Sequence, residues 1–283
     1  GIETDLTVVC IDTDHFRIIS SAATRERDKF HINKHIAKDV ELKDVTDDYC
    51  VFGVFGPKSR ALMKSISKDN FENDNFRFST AKYITIEGIK IWTQRLSYVG
   101  ELGYELYVKS EDAKKIYELL VNKGKDFNLS NCGMHAMDIM RMESGFLHWG
   151  HDISPEENQY QAGLSFTISS KKDDVFIGKK AIEKIKKEKI KSRFAMFTLK
   201  DSKPGEPLLL HDEPIYLENK IIGRSTSGNY SFNFRKNLTF GYINNDISND
   251  ELHKKDLFIE IEKKKYPIEI IVKPLKQTNF KNN

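Results

Sequence analysis

The sequence predicts an α+β protein with two domains, and three observations support this class. Helical and strand-like segments alternate irregularly in the first two thirds of the chain, without the regular strand–helix–strand repeat of a parallel sheet. A lysine-rich segment at 177–191 then precedes short apolar runs separated by turns, a pattern typical of a small sandwich or barrel. The 283 residues are 39% hydrophobic, enough for two cores. We therefore expect a mixed domain over residues 1–188 and a β-barrel over residues 189–283.

Local patterns predict the elements of the first domain. β-Branched and apolar runs indicate strands, the Gly56-Pro57 pair allows a proline in the first turn of a helix, and Ser110 is a candidate N-cap followed by two acidic residues. The predicted elements, in order, are a hairpin (6–11 and 16–19), a helix (24–36), a strand (49–55), a helix (58–66), a hairpin around Gly88 (83–91), strands (93–98 and 104–108) and helices (110–124, 135–146 and 177–191).

The second domain is predicted to consist of short strands alone. Seven apolar runs follow one another with turn residues between them. They lie at 193–199, 206–212, 213–219, 220–227, 237–243, 257–263 and 265–275.

Composition excludes several classes of function. Lys and Arg number 45 against 42 Asp and Glu, a net charge of +3, so no excess positive field indicates a nucleic-acid partner. Cys10, Cys50 and Cys132 form no CxxC pair, which argues against a zinc site or a disulfide framework and favours a reducing compartment. We expect the cytoplasm, or the mitochondrial matrix in a eukaryote. Because no apolar run approaches the roughly 18 residues of a membrane span, we expect no membrane insertion.

Metal and nucleotide motifs are weak or missing in the sequence. His31 and His35 stand four residues apart on a predicted helix, and His148 and His151 lie close together, but neither pair has an evident third ligand. No GxGxxG motif follows a strand, and no GxxxxGK[ST] motif is found. We predict no metal site and no Rossmann or P-loop site in this chain.

The segment SYVGELGYELY (97–107) is the most informative one for chemistry. Gly100 and Gly103 allow a tight turn between strands, which holds Tyr98 and Glu105 near its two sides. A turn of this kind, taken alone, is more often only a turn.

Two further segments change this interpretation. The turn, DIMRMESGFLHWGHDISPEENQYQAGLSF (138–166) and GRSTSGNYSFNFRKNLTFGYI (223–243) resemble, in this order, the glycine-cleavage T-protein (aminomethyltransferase) superfamily. Its members share a Y-x-G-E-x-G-x-E turn, a D-x-x-R-x-E-x-G helix end and a T-S-G segment in a C-terminal barrel. FGPKSRAL (55–62) and DVFIGKKAI (174–182) resemble two more of its segments, and HWGHDI (148–153) and SGNYSFNFRKNL (227–238) look more like its dimethylglycine and sarcosine dehydrogenase branch.

The resemblance implies a tetrahydrofolate site and assigns residues to it. A pterin ring presents an N3 hydrogen beside a 2-amino group, and a carboxylate accepts both; Glu105 matches the family glutamate in that place. Tyr98 matches the family tyrosine that packs beside the folate. Arg141 matches the family arginine, which would serve the pterin edge or hold Glu105; the structural alternative is a pair with Asp138 or Glu143 on its own helix.

The opening GIETDLTVV is similar to a family segment with two acidic residues near the folate N5 and N10 atoms. Asp5 occupies the second of these positions and is the predicted catalytic carboxylate, whereas Thr4 replaces the first. Family members carry a further segment before this motif, so we expect the chain to be a piece of a longer protein.

The function implied by the resemblance is capture of the one-carbon unit released by N-demethylation of dimethylglycine or sarcosine, giving 5,10-methylenetetrahydrofolate. FAD would then belong to a separate or missing domain or subunit. Two alternatives stay open: a T-protein that receives an aminomethyl group from a lipoyl carrier, and a truncated non-catalytic folate-binding module. A sulfonium demethylase shares the same fold, so fold alone does not separate it.

Overall fold

The computed structural model describes residues 1–169, 176–277 and 281, and the chain divides into two compact units. The sheet unit contains Leu6–Met137 with Lys281. The barrel unit contains Gly1–Asp5 and Asp138–Gln277. The division by contacts thus groups residues differently from the predicted domains 1–188 and 189–283, and those boundaries stay a prediction.

The sheet unit combines a hairpin, a four-stranded antiparallel sheet and three helices. β1 (Thr7–Asp12) pairs with β2 (His15–Ile19), as the sequence predicts, and α1 (Arg25–His35) follows. The four-stranded sheet has the order β3-β6-β5-β4. The elements are β3 (Tyr49–Phe55), α2 (Ser59–Ile66), β4 (Ala81–Ile86), β5 (Ile89–Gln94), β6 (Gly103–Lys109) and α3 (Ala113–Gly124).

Alternation along the strands gives the four-stranded sheet two different faces. One face is apolar and packs against α2 and α3, with Leu106, Met63 and Ile116 fully buried in the core between them. The opposite face, called here the second face, carries Glu105 and Tyr107 of β6, Trp92 and Gln94 of β5, and Val51, Gly53 and Phe55 of β3. The candidate site lies on this second face.

The helix predicted from Ser110 begins later. Residues Ser110–Asp112 form a 3₁₀ turn, and the Ser110 hydroxyl donates to the Asp47 carbonyl oxygen at 2.9 Å instead of capping the helix. The α-helix starts at Ala113. The N-cap assignment was therefore wrong, because the hydroxyl has a tertiary acceptor.

The barrel unit contains a closed six-stranded barrel of strand order β10-β7-β12-β11-β8-β9. This confirms the predicted C-terminal barrel and the α+β class. Its elements are β7 (Ser192–Leu199), β8 (Pro214–Leu217), β9 (Lys220–Ser231), β10 (Lys236–Asn244), α6 (Asn249–Lys254), β11 (Leu257–Ile261) and β12 (Lys264–Ile271).

Three more predicted elements differ. The predicted strand 93–98 is not a separate strand, because β5 ends at Gln94 and residues 95–98 lie in the loop before β6. The run 206–212 forms no strand: Leu209 is buried in the barrel core, while its neighbours Leu208 and Leu210 are exposed. The lysine-rich helix is only α5 (Lys179–Ile185), which buries no residue and so lacks tertiary packing to extend it. Asp174 and Val175 of the DVFIGKKAI segment lie outside the described residues.

Helix α4 (Met134–Glu143) enters the barrel unit at Asp138 and packs on the barrel. Ile139 and Met142 form a core with Leu238 and Phe240 of β10. Gly145 ends the helix with φ 74°, and a Cβ there would approach Pro274 to 2.6 Å. In the described part of the chain, every helix is too short or too polar to cross a membrane.

Candidate functional site

Glu105 is the third residue of β6 and lies on the second face of the sheet. In the strand register it stands between Gly53 of β3 and Gln94 of β5. The Tyr107 hydroxyl, two residues along the same face, donates to Glu105 Oε2 at 2.8 Å. Burial raises the pKa of the Glu105 carboxyl, and the Tyr107 hydrogen bond opposes this rise in part. The Glu105 carboxylate is therefore a hydrogen-bond acceptor that is only partly solvated.

The Phe55 ring covers the backbone beside Glu105. A Cβ on Gly53 would come within 2.4 Å of this ring, and a Cβ on Gly103 within 2.0 Å. Both positions therefore require glycine, since the ring occupies the space of a side chain. An apolar aromatic surface beside a carboxylate suits a flat heterocycle with polar edges.

Gln94 and Trp92 place buried polar groups on the same face, and these groups make no hydrogen bonds within the described residues. Gln94 is 1% exposed and Trp92 6% exposed. Neither the Gln94 amide nitrogen, nor its oxygen, nor the Trp92 indole nitrogen has a hydrogen-bond partner within the described residues. Buried polar groups without partners are costly and uncommon in folded proteins, so those near Glu105 make this face the candidate site.

Arg17 of β2 closes the other end of the second face. Its guanidinium carbon lies 5.1 Å from the ring centre of Tyr49, 5.5 Å from that of Trp92 and 5.9 Å from that of Tyr107. These are cation–π distances. The positive charge of Arg17 counteracts in part the rise in the pKa of Tyr107 that burial and Glu105 cause.

Tyr98 lies in the loop between β5 and β6 and is half-buried. Gly100 in this loop has φ 65°, as the predicted tight turn requires. The backbone N–H of Glu101 donates to the Ser97 hydroxyl at 3.1 Å. Glu101 is itself half-buried.

A cleft beside α2 is lined by Glu101, Arg60 and Lys64 of the sheet unit. Its basic groups already have partners: Arg60 donates to Asn73 at 2.6 Å, and Lys64 pairs with Glu72. We therefore place the site on the second face and not in this cleft.

Arg141 is buried in the barrel unit, with 1% of it exposed. Its Nε donates to Asp138 at 2.9 Å, and its Nη2, which lies 2.8 Å from the same carboxylate, donates to Ser227 Oγ at 2.8 Å. Nη1 donates to the Phe146 carbonyl at 3.0 Å and to Asp152. All three guanidinium nitrogens thus have acceptors within the unit. The predicted alternative of a helix pair with Asp138 is present, and a direct contact with a pterin edge would have to replace one of these bonds.

Asp152 is the acceptor around which this part of the barrel unit is organised. It is fully buried, and its carboxylate receives the Thr226 hydroxyl at 2.6 Å, the Ser227 hydroxyl at 2.8 Å and the His148 N–H at 2.9 Å, besides Arg141. The HWGHDI and T-S-G segments are therefore joined to the end of α4 through one carboxylate. Sequence reasoning missed Asp152, because its partners are 74 and 75 residues away in the chain.

Glu143 has a similar task at the end of the same helix. It is 1% exposed and accepts from the Ser231 hydroxyl at 2.6 Å and from the Asn233 amide at 2.9 Å. Arg141 and Glu143 of the D-x-x-R-x-E-x-G segment thus attach α4 to the barrel through buried hydrogen bonds.

Asp5 belongs to the N-terminal strip of the barrel unit. The strip is anchored by Ile2, which packs against Ile153 and Ala162 and whose carbonyl oxygen accepts from Trp149 Nε1 at 3.0 Å. Asp5 is exposed, yet neighbouring protein atoms displace part of its hydration and raise the pKa of its carboxyl. Thr4 is half-buried.

The four predicted site residues thus fall into both units. Tyr98 and Glu105 belong to the sheet unit, Asp5 and Arg141 to the barrel unit. The imidazole rings of the pairs His31–His35 and His148–His151 each lie 4.6 Å apart, and within the described residues no group of three His, Cys, Asp or Glu side chains could hold a metal ion.

The sequence matches two family models. One is described as GCVT N-terminal domain and matches residues 1–172; the other is described as glycine cleavage T-protein C-terminal barrel domain and matches residues 193–276. The resemblance found in the motifs is therefore confirmed.

Curated relatives include dehydrogenases and aminomethyltransferases. The chain is 32% identical over 283 residues to mitochondrial dimethylglycine dehydrogenase of Homo sapiens. The matched region covers 99% of this chain and 32% of that protein. It is 31% identical over 247 residues to an aminomethyltransferase of Halothermothrix orenii. That matched region covers 87% of this chain and 67% of that protein. The chain thus spans about a third of the length of the dimethylglycine dehydrogenases that it matches.

Among solved structures, the chain is similar to the glycine cleavage system aminomethyltransferase T of Bartonella henselae, with a TM-score of 0.82 and 20% identity. The match covers 98% of this chain and 73% of that one. At this identity the likeness shows the fold alone.

Proposed function

Because the chain belongs to the glycine-cleavage T-protein (aminomethyltransferase) family, an enzyme family, we propose that it binds tetrahydrofolate and transfers a one-carbon unit to it. The unit would be the one released by N-demethylation of dimethylglycine or sarcosine, and the product 5,10-methylenetetrahydrofolate. The chain would act as the folate part of a larger flavoenzyme, with FAD on another domain or subunit. The similarity to a dimethylglycine dehydrogenase over 99% of the chain supports this choice of donor.

The observation that carries the proposal is the partly desolvated carboxylate of Glu105 on a face with unused buried polar groups. A pterin offers the complement of this arrangement. Its N3–H and 2-amino group are adjacent donors for the two carboxylate oxygens, and its flat ring can pack on the Phe55 surface. The residues present therefore fit the ligand that the family implies.

The predicted site residues take different tasks in this proposal. Glu105 anchors the pterin edge by accepting its donors, and Tyr98 packs beside the ring. Asp5 stabilises the positive charge of the incoming one-carbon unit or accepts a proton during its transfer. Because all three guanidinium nitrogens of Arg141 already have acceptors in the barrel unit, we assign it to the structure of that unit instead of the pterin edge.

A second function, aminomethyl transfer from a lipoyl carrier, is favoured by the similarity to aminomethyltransferases of which this chain spans about two thirds. The two reactions differ in the donor and share the folate. To distinguish them, the chain is incubated with tetrahydrofolate and either an aminomethyl-lipoyl carrier or a methylamine-oxidising flavin partner with its substrate. The mixture in which methylenetetrahydrofolate forms identifies the donor.

Thermal unfolding tests the proposal as a whole. Tetrahydrofolate binds the folded chain and so should raise its melting temperature in proportion to occupancy, by RT ln(1 + [L]/Kd) in free energy. A melting temperature that is unchanged at saturating tetrahydrofolate, together with no heat of binding in calorimetry, would contradict the proposal.

A further inference from the structure

Gln94 is a buried amide that the tasks assigned so far do not use. It ends β5, is 1% exposed, and stands directly opposite Glu105 in the register of β5 and β6. Neither its Nε2 nor its Oε1 has a hydrogen-bond partner within the described residues. An unpaired buried amide lowers stability, so its presence needs a reason outside the folding of the chain.

The position of Gln94 relates it to the ligand edge that Glu105 would bind. Side chains directly opposite each other on neighbouring antiparallel strands have Cβ atoms roughly 5 Å apart. A carboxylate and an amide therefore lie side by side on the second face. Together they offer two acceptor oxygens followed by one N–H donor.

The edge of a reduced pterin carries the complementary pattern. The 2-amino group and N3–H are donors, and the oxygen on C4, next to N3, is an acceptor. We propose that Gln94 Nε2 donates to this C4 oxygen while Glu105 accepts from N3–H and the 2-amino group. Gln94 is then a further pterin-binding residue, which acts together with Glu105 on the same edge of the ring. The inference rests on the proposed folate function and adds a residue to it.

The proposal predicts opposite effects of one substitution on stability and on binding. Gln94→Leu removes an unpaired amide, so the melting temperature of the ligand-free chain should stay the same or rise. The same change leaves the C4 oxygen without its donor and should weaken tetrahydrofolate binding about 10-fold. A residue with a purely structural task would lose stability instead.

The experiment measures two quantities for the unsubstituted chain and for Gln94→Leu: the dissociation constant of tetrahydrofolate by calorimetry, and the melting temperature of the ligand-free chain. We expect the dissociation constant to rise about 10-fold in the variant while the melting temperature holds or rises. Gln94→Met repeats the test with a different shape, and Asn122→Leu, an exposed amide on α3, is the control.

The outcomes separate this inference from the function on which it rests. If the unsubstituted chain binds no tetrahydrofolate, the proposed function fails and the inference fails with it. Tight binding by the unsubstituted chain with an unchanged dissociation constant in both Gln94 variants would overturn the inference alone. A rise in the dissociation constant that comes only with a loss of melting temperature would show a structural task and overturn it as well. A dissociation constant that rises while the ligand-free melting temperature holds supports it.

Discussion

The Tyr107 hydroxyl donates a 2.8 Å hydrogen bond to Glu105 Oε2. Both side chains lie on the second face because they are two residues apart on β6. The bond lowers the pKa of a carboxyl that burial raises. The proton affinity of the proposed folate anchor is therefore set by this one neighbour against the cost of desolvation.

The Tyr107–Glu105 bond gives a pH prediction. Tyr107→Phe removes the donor, so the pKa of Glu105 should rise further and the carboxyl should take up its proton at a higher pH. Tetrahydrofolate binding, which needs the carboxylate, should then be lost at a higher pH in the variant than in the unsubstituted chain. Dissociation constants measured across the acidic range test this, and coincident pH profiles would contradict it.

Ionised Glu105 should also cost stability in the ligand-free chain. Because burial raises its pKa in the folded state, the folded chain holds this proton more tightly than the unfolded chain does. Acidification from neutral pH through the raised pKa therefore adds stability through this group, and at neutral pH its contribution is unfavourable. Glu105→Gln should raise the free energy of unfolding at neutral pH, with a smaller gain in mild acid. Urea denaturation at both pH values would reveal a loss if the sign is wrong.

The buried Arg141–Asp152 pair should be important for the stability of the barrel unit. Asp152→Asn removes the buried counter-charge of the guanidinium, leaving it only the partly exposed Asp138, and should cost about 3 to 5 kcal/mol. Glu251→Gln, which breaks the half-exposed pair with Lys255 in the same unit, should cost under about 0.5 kcal/mol. Chemical denaturation measures both, and equal losses would mean that the buried pair has no special weight.

Asp5 should matter for transfer and not for binding. Asp5→Asn should lower the rate of methylenetetrahydrofolate formation about 100-fold or more, since it removes a charge that acts in the transition state. The dissociation constant of tetrahydrofolate should change by less than about twofold. A variant with an unchanged rate would remove Asp5 from the reaction, and a large loss of affinity would make it a binding residue.

Sequence patterns were sufficient where one local signal decides a structure. Strand β3 lies at the predicted residues, and the turn at Gly88 and the closed barrel follow from alternation and turn residues. Run 206–212 failed because whether an apolar run becomes a strand depends on pairing partners elsewhere in the chain.

The site shows the same limit. Tyr107 was accessible to sequence reasoning, since residues two apart on a strand share a face. Gln94 was not, because its position opposite Glu105 depends on the register between β5 and β6. The task of Arg141 was equally undetermined, because Asp152 and Ser227 reach it only in the folded barrel unit.

The central claim is that Glu105 anchors the pterin of a reduced folate, and calorimetry of tetrahydrofolate binding to Glu105→Gln tests it most directly. The substitution keeps the size of the side chain, removes the charge and turns an N–H₂ group toward the pterin donors. We expect affinity to fall by about 2 to 4 kcal/mol, roughly 30-fold to 1000-fold.

Glu111→Gln is the matched control, because Glu111 is exposed in the same unit, and it should change affinity by less than about 0.5 kcal/mol. Half-buried Glu101 is unsuitable for this purpose. A large loss at Glu105 with none at Glu111 is the predicted result. Equal affinities of the unsubstituted chain and Glu105→Gln would contradict the assignment of the pterin anchor.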